Sequence, residues 1–188
     1  AEGKSTTSFA IAAVLSRTGK KVLLIDADMR SPSMHQFVSQ PNTMGLSNFL
    51  AGENDWHRLV LQTRIAGLSL LAAGPTPPSA AELLSSDRML MLVEQLLENF
   101  DHVIIDSPPI LGLADAPLLS RAVEGCVFVA EAEGVAVRGI QASLGRLRSV
   151  HAHVFGVVLT KLRYRQAGYG YGYGYGYGYG SEENSDAK

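Results

Sequence analysis

Apolar residues in this chain gather in short unbroken runs separated by segments of helical periodicity. Residues 22–25 (Val-Leu-Leu-Ile), 103–105 (Val-Ile-Ile), 127–130 (Val-Phe-Val-Ala) and 154–159 (Val-Phe-Gly-Val-Val-Leu) are continuous rather than alternating. Such strands are usually buried on both faces, as in a parallel sheet. Residues 68–72 predict a fifth strand. Between the runs, residues 9–17 are apolar almost all round, and Met89, Leu92, Val93, Leu96, Leu97 and Phe100 recur at helical spacing, with Asp87 placed to cap that helix. Val137, Ile140, Leu144 and Leu147 repeat the pattern in a last helix. Strands alternating with helices predict an α/β fold, doubly wound around a mostly parallel sheet.

The two ends differ in kind from the middle. Residues 1–5, Ala-Glu-Gly-Lys-Ser, run directly into a helical pattern. If they form a phosphate loop, the strand that feeds such a loop is expected upstream of residue 1. On this reading the chain is an N-terminally truncated fragment, and any membrane helices upstream are out of view. From Gly168 the sequence alternates Gly and Tyr, then closes on a polar, mostly acidic stretch, residues 181–188. All 7 tyrosines stand at Tyr164, Tyr169, Tyr171, Tyr173, Tyr175, Tyr177 and Tyr179. The expected division is a folded domain over 1–163 and a flexible, disordered Gly/Tyr-rich tail over 164–188.

Composition narrows the function. With 188 residues, 46% of them hydrophobic, one domain can bury a real core. The net charge is -2, with 16 basic and 18 acidic residues intermixed, so there is no basic footprint for nucleic acid and little ionic attraction to a membrane surface. A lone cysteine, Cys126, excludes an internal disulfide and fits a reducing compartment. The longest uncharged stretch, 65–81, is broken by Gly67, Gly74, Pro75, Pro77 and Pro78 and cannot be a spanning helix.

The chemistry begins at Gly3-Lys4-Ser5-Thr6, which matches the second half of a Walker A loop. Backbone N–H groups at a helix start hold phosphate oxygens; Lys4 would reach the β- and γ-phosphates, and the Ser5 hydroxyl would ligate Mg²⁺. Glu2 and Thr6 complete the candidate nucleotide-binding set. Half a motif is weak alone, since Gly-Lys-Ser is a common tripeptide. Two further segments add weight. The run 22–25 ends in Asp26-Ala27-Asp28-Met29-Arg30, and the run 103–105 ends in Asp106-Ser107-Pro108-Pro109. Both put carboxylates at the C-terminal edge of a buried strand, where α/β folds bind ligands. Parallel neighbours would bring Asp26 and Asp106 together beside Ser5, giving Mg²⁺ the hard oxygen ligands it takes. The alternative is that these aspartates cap strand ends in polar loops.

Residues 23–30 (Leu-Leu-Ile-Asp-Ala-Asp-Met-Arg) resemble the second Walker motif of the bacterial tyrosine autokinases of capsule and exopolysaccharide synthesis, and residues 103–109 resemble their Walker B motif. Gly74 to Pro78, followed by Glu82-Leu83-Leu84, is similar to a linking segment of that family, and a C-terminal tyrosine cluster is another of its marks. Two departures stand out: Ser79-Ala80 where the family usually has Asn-Pro, and Thr160 near where relatives often carry Asn. The resemblance implies a P-loop NTPase-like kinase that uses ATP and Mg²⁺. It implies Ser5, Asp26 and Asp106 at the metal, with Lys4, Asp26, Asp28 and Asp106 catalytic, and Asp26 closest to the metal. It further implies a domain at the cytoplasmic face of the bacterial inner membrane, working with a membrane polysaccharide co-polymerase region or partner.

The tail reads as the phosphate acceptor. A tyrosine hydroxyl, with a pKa near 10, needs positioning, charge neutralisation and a group to take its proton. Asp26 and Asp28 are the candidates for that last role, while Arg30 either steadies phosphate charge or forms a surface ion pair. Tyr169, Tyr171, Tyr173, Tyr175, Tyr177 and Tyr179 are the expected acceptors, with Tyr164 a further one. A Gly-rich tail of about 14 residues spans roughly 20 Å, which suits a neighbouring subunit better than its own site. Transfer in trans within a homo-oligomer is therefore expected, and the phosphates added should loosen the assembly by self-repulsion. The competing readings are a septum-positioning or partitioning ATPase, a non-catalytic ATP-gated regulator of a membrane partner, and, for the tail, an unphosphorylated sticky segment. Cys126 and Trp56 read as core. His151 and His153 read as a strand-edge pair, and Arg138, Arg146 and Arg148 as a solvated helix face.

Overall fold

The computed structural model describes residues 2–134 and 136–162. All seven tyrosines lie outside the described residues. In chain order the elements are α1 (Lys4–Ser16), β1 (Val22–Asp26), α2 (Met34–Phe37), α3 (Leu46–Leu50), β2 (Val60–Gln62), β3 (Leu68–Leu71), α4 (Ala80–Ser85), α5 (Asp87–Leu97), β4 (His102–Asp106), α6 (Asp115–Leu119), β5 (Cys126–Glu131), α7 (Val137–Ser149) and β6 (Val154–Thr160). All five expected strands are present, each within one residue of its expected ends. The architecture is mixed α/β with a mostly parallel sheet.

β1 explains why its sequence is apolar without interruption. Leu23 and Ile25 enter a core shared with α3, α4 and α5, whereas Val22 and Leu24 enter a second core under α1 and α2. All five of its residues are buried, and each of the four apolar side chains, Val22 to Ile25, is worth about 1.5–3 kcal/mol of burial. β1 pairs in parallel with β3 on one side and with β4 on the other, setting Ile25 beside Ile105 and Asp26 beside Asp106. The strand order is β2-β3-β1-β4, with β5 and β6 forming a separate parallel pair.

β2 has no counterpart in the sequence pattern. It is three residues long and pairs antiparallel with β3 at the sheet's edge, too short to show a period. Asp87 does not cap α5. It is the first helical residue, after Ser86, where its charge still favours the helix N-terminus. Trp56 is core, and the Asp55 carboxylate accepts from the His57 N–H (3.1 Å) to start a short 3-10 turn. Gly45 is required by close approach: a carbon added there would fall 2.0 Å from the Ala72 carbonyl oxygen.

β4 is only half-buried over His102 to Ile105, although its neighbour β1 is fully buried. Its free edge faces β5 across an apolar cleft of about 710 Å³, lined among others by Val103, Ile105, Val127, Val129, Ile140 and Leu147, with Lys4 at its rim. Cys126 lines this cleft and is half-buried rather than core. No helix among the described residues is long and apolar enough to cross a membrane.

Candidate nucleotide and metal site

α1 starts at Lys4 because Gly3 adopts a left-handed conformation, φ 87°, which only glycine takes without strain. The Gly3 carbonyl accepts both the Thr7 N–H (2.9 Å) and the Thr7 hydroxyl (2.8 Å), fixing the first turn. Amides at the start of a helix have no intrahelical acceptor and present a positive dipole end to an anion. The Lys4 ammonium donates to the Glu2 carboxylate at 2.7 Å, with both side chains partly exposed. The Glu2 carboxylate thus holds the lysine. Thr6 is exposed on the helix.

Across the sheet edge, the Ser5 hydroxyl donates to Asp106 Oδ2 at 2.7 Å, joining residues 101 apart in sequence. The Ser8 hydroxyl donates to the other oxygen, Oδ1, at 2.9 Å. Burial pushes the Asp106 carboxyl above the usual carboxylate range, while the Ser5 and Ser8 hydroxyls and the Lys4 charge pull it back part of the way. Asp26, fully buried, accepts from the backbone of Ser33 (2.8 Å) and Met34 (2.9 Å) on one oxygen and of Asp28 (3.2 Å) on the other. Burial still pushes its pKa up to about 6, and repulsion from Asp106 adds to the rise. Asp28 is half-buried, accepts the Ser31 N–H at 3.0 Å, and repels Asp106 as well. The Ala27 N–H on the Asp106 carbonyl (2.9 Å) locks the two carboxylate segments together.

The structure therefore gathers Lys4, Ser5, Asp26, Asp28 and Asp106 at one sheet edge. Among the described residues no three acidic, histidine or cysteine side chains form a protein-only metal cage. An arrangement of one hydroxyl and dispersed carboxylates fits Mg²⁺, which keeps waters and phosphate oxygens in its shell. Arg30 is engaged elsewhere: its guanidinium grips the buried Asp115 carboxylate at 2.9 and 3.4 Å, an ion pair whose acidic partner carries no motif in the sequence. Ser8 and Asp115 were not legible because each contact crosses more than eighty residues. Arg146 is not only a solvated face, since its guanidinium donates to the Ile110 carbonyl (2.9 Å) and steadies the segment after Asp106. The His153 ring packs on Phe155 at 4.9 Å.

Residues 2–158 match a family model described as an AAA domain. The chain is 37% identical over 162 residues to CapB of Staphylococcus aureus, named as a tyrosine-protein kinase, which covers 86% of this chain and 71% of that protein. Other curated relatives named as tyrosine-protein kinases are much longer, and the chain spans 23% of several of them. Among solved structures, the kinase domain of the Escherichia coli tyrosine kinase ETK superposes with a TM-score of 0.83 at 32% identity, over 93% of this chain and 69% of that one. A cobyrinic acid a,c-diamide synthase from Mycobacterium smegmatis, solved with an ATP analogue and magnesium, has a TM-score of 0.71 at 25% identity over 85% of this chain and 70% of its own.

Proposed function

This chain belongs to the bacterial tyrosine-protein kinases, within the AAA-domain family, and from that premise we propose that it phosphorylates its own tyrosine tail from Mg-ATP. The observation that carries the reading is the Ser5 to Asp106 hydrogen bond, which sets the loop's hydroxyl and lysine against the carboxylates of two other segments. Lys4 and the amides opening α1 would bind the β- and γ-phosphates, and Lys4 would exchange Glu2 for phosphate oxygen. Ser5 and Asp106, with Asp26 behind them, would hold Mg²⁺, which supplies charge neutralisation on the transferring phosphoryl group. Asp26 is buried with its oxygens occupied by backbone N–H groups, so its part is to fix the 26–34 turn and the local charge. Asp28, partly exposed, is the carboxylate an incoming phenol can meet and hand its proton to.

The acceptors are Tyr169 to Tyr179 along the Gly–Tyr repeat, with Tyr164 as a further one. Transfer runs between subunits of a homo-oligomer. The process controlled is capsule or exopolysaccharide polymerisation and export, at the cytoplasmic face of the inner membrane beside a membrane co-polymerase partner. Phosphopeptide mass spectrometry of the full-length protein after incubation with Mg-ATP tests the reading. Tail phosphate is expected in the wild type and not in Lys4→Met alone, but should appear on Lys4→Met mixed with wild type. Equal phosphate in the two separate samples, or none in either, overturns it.

A further inference from the structure

The phosphate loop is supported from the far end of the chain. Thr160, the last residue of β6, donates its hydroxyl to the Glu2 carbonyl at 2.6 Å and also lies 3.3 Å from the Ala130 carbonyl. Its own carbonyl accepts the Ala132 N–H at 2.9 Å, so its backbone is fixed to the end of β5. Its methyl closes over Gly3, where an added carbon would stand 3.2 Å away. One half-buried side chain thus fixes the carbonyl preceding the left-handed glycine and limits the space around that glycine. Among the described residues β5 and β6 share no ladder with the main sheet, so this contact is a polar link between the phosphate loop and the β5–β6 pair.

The same residue closes β6, the last element among the described residues. Lys161, next along, is held by an ion pair with Glu131 at 2.8 Å, and the tyrosine-bearing segment begins at Tyr164.

We propose that Thr160 is a positioning residue for the nucleotide site, its hydroxyl holding the Glu2 carbonyl so that Gly3 and the amides of Lys4 and Ser5 are set for phosphate. The inference rests on the nucleotide-binding reading above. ADP binding to the full-length protein, measured by calorimetry with and without Mg²⁺, tests it. Thr160→Val keeps the shape and removes the hydroxyl. Losing a hydrogen bond that leaves a carbonyl unpaired should weaken ADP binding about fivefold or more. Thr160→Ser should bind as the wild type does. In turnover, Thr160→Val should raise KM for ATP while kcat at saturating ATP stays near wild type, a split that general loosening of the fold would not give. Urea midpoints confirm folding, and if the valine variant does not fold, Thr160→Ala against Thr160→Ser carries the same comparison. Valine binding within about twofold of wild type, or serine as weak as valine, overturns the proposal. Lys4→Met keeps the two ideas apart: if it binds ADP as tightly as wild type, the nucleotide site itself is misassigned, whereas its loss beside unchanged Thr160→Val removes only this inference.

Discussion

Replacing Asp26 by Asn keeps the side chain's size and one carbonyl acceptor for the Ser33 and Met34 N–H groups while abolishing its titration. Burial holds the native carboxyl at about 6 against 3.8 for an exposed aspartate. That gap of roughly two pH units corresponds to about 3 kcal/mol, at about 1.36 kcal/mol per unit. The folded state binds this proton more tightly than the unfolded chain. The stabilisation is therefore complete below the unfolded value and is lost as pH rises through the folded one. Asp106, also raised by burial, moves stability in the same direction. Asp101, held low by the Lys21 N–H, and Glu131, held low by Lys161, act in the opposite one. These groups persist in the variant, so the difference between the two proteins isolates Asp26 together with its repulsion of Asp106. Urea unfolding in EDTA at several pH values gives that difference directly. Between about pH 4, where the loss has already begun, and about pH 7 it should shift by about 2.5 kcal/mol in favour of Asp26→Asn. Stability curves that stay parallel across this range would refute the reasoning. They would show that the carboxylate is ionised without cost, and that the turn's N–H groups compensate its desolvation.

Three other perturbations follow from the geometry. Glu2→Gln removes the carboxylate that competes for Lys4, and KM for ATP should fall by about two- to fivefold, the effect fading in high salt. Gly45→Ala drives a carbon into the Ala72 carbonyl and breaks the Leu46 and Ser47 N–H bonds to residues 72 and 73, so the urea midpoint should record a loss of about 3 kcal/mol or more. Arg30→Ala leaves the buried Asp115 carboxylate without its partner, so the urea midpoint should fall, with Arg30→Lys recovering part of the loss.

Much of the fold was legible from one property, the continuity of apolar runs. A strand flanked by strands and covered on both faces has no polar position to spare, and residues 22–25 therefore announce themselves as sheet interior; residues 103–105 carry the same pattern but form the half-buried outer strand of the described sheet. The helix at Met89 to Leu97 was legible for the complementary reason, since one face is buried and the other solvated. The ends of these two strands were legible too, because a polar residue, Asp26 or Asp106, closes each apolar run. β2 left no trace, being a three-residue edge strand whose pairing depends on β3 rather than on its own pattern. Asp87 misled because a residue one position inside the helix and a residue capping it look alike in sequence.

The sequence by itself determined which side chains are available for phosphate and metal, since Gly-Lys-Ser, the two Asp-ended strands and the Gly–Tyr repeat are local patterns with local physical reasons. Only the tertiary structure decided what those side chains do to one another. Parallel register set Asp26 against Asp106, and burial there raised both. The packing of α1 on β4 gave Asp106 a second hydroxyl from Ser8, and the return of β6 to the loop set Thr160 against Glu2. Such contacts join residues from 80 to 158 positions apart. They leave no periodic signal because what fixes them is the sheet's strand order, a property of the whole chain rather than of any segment.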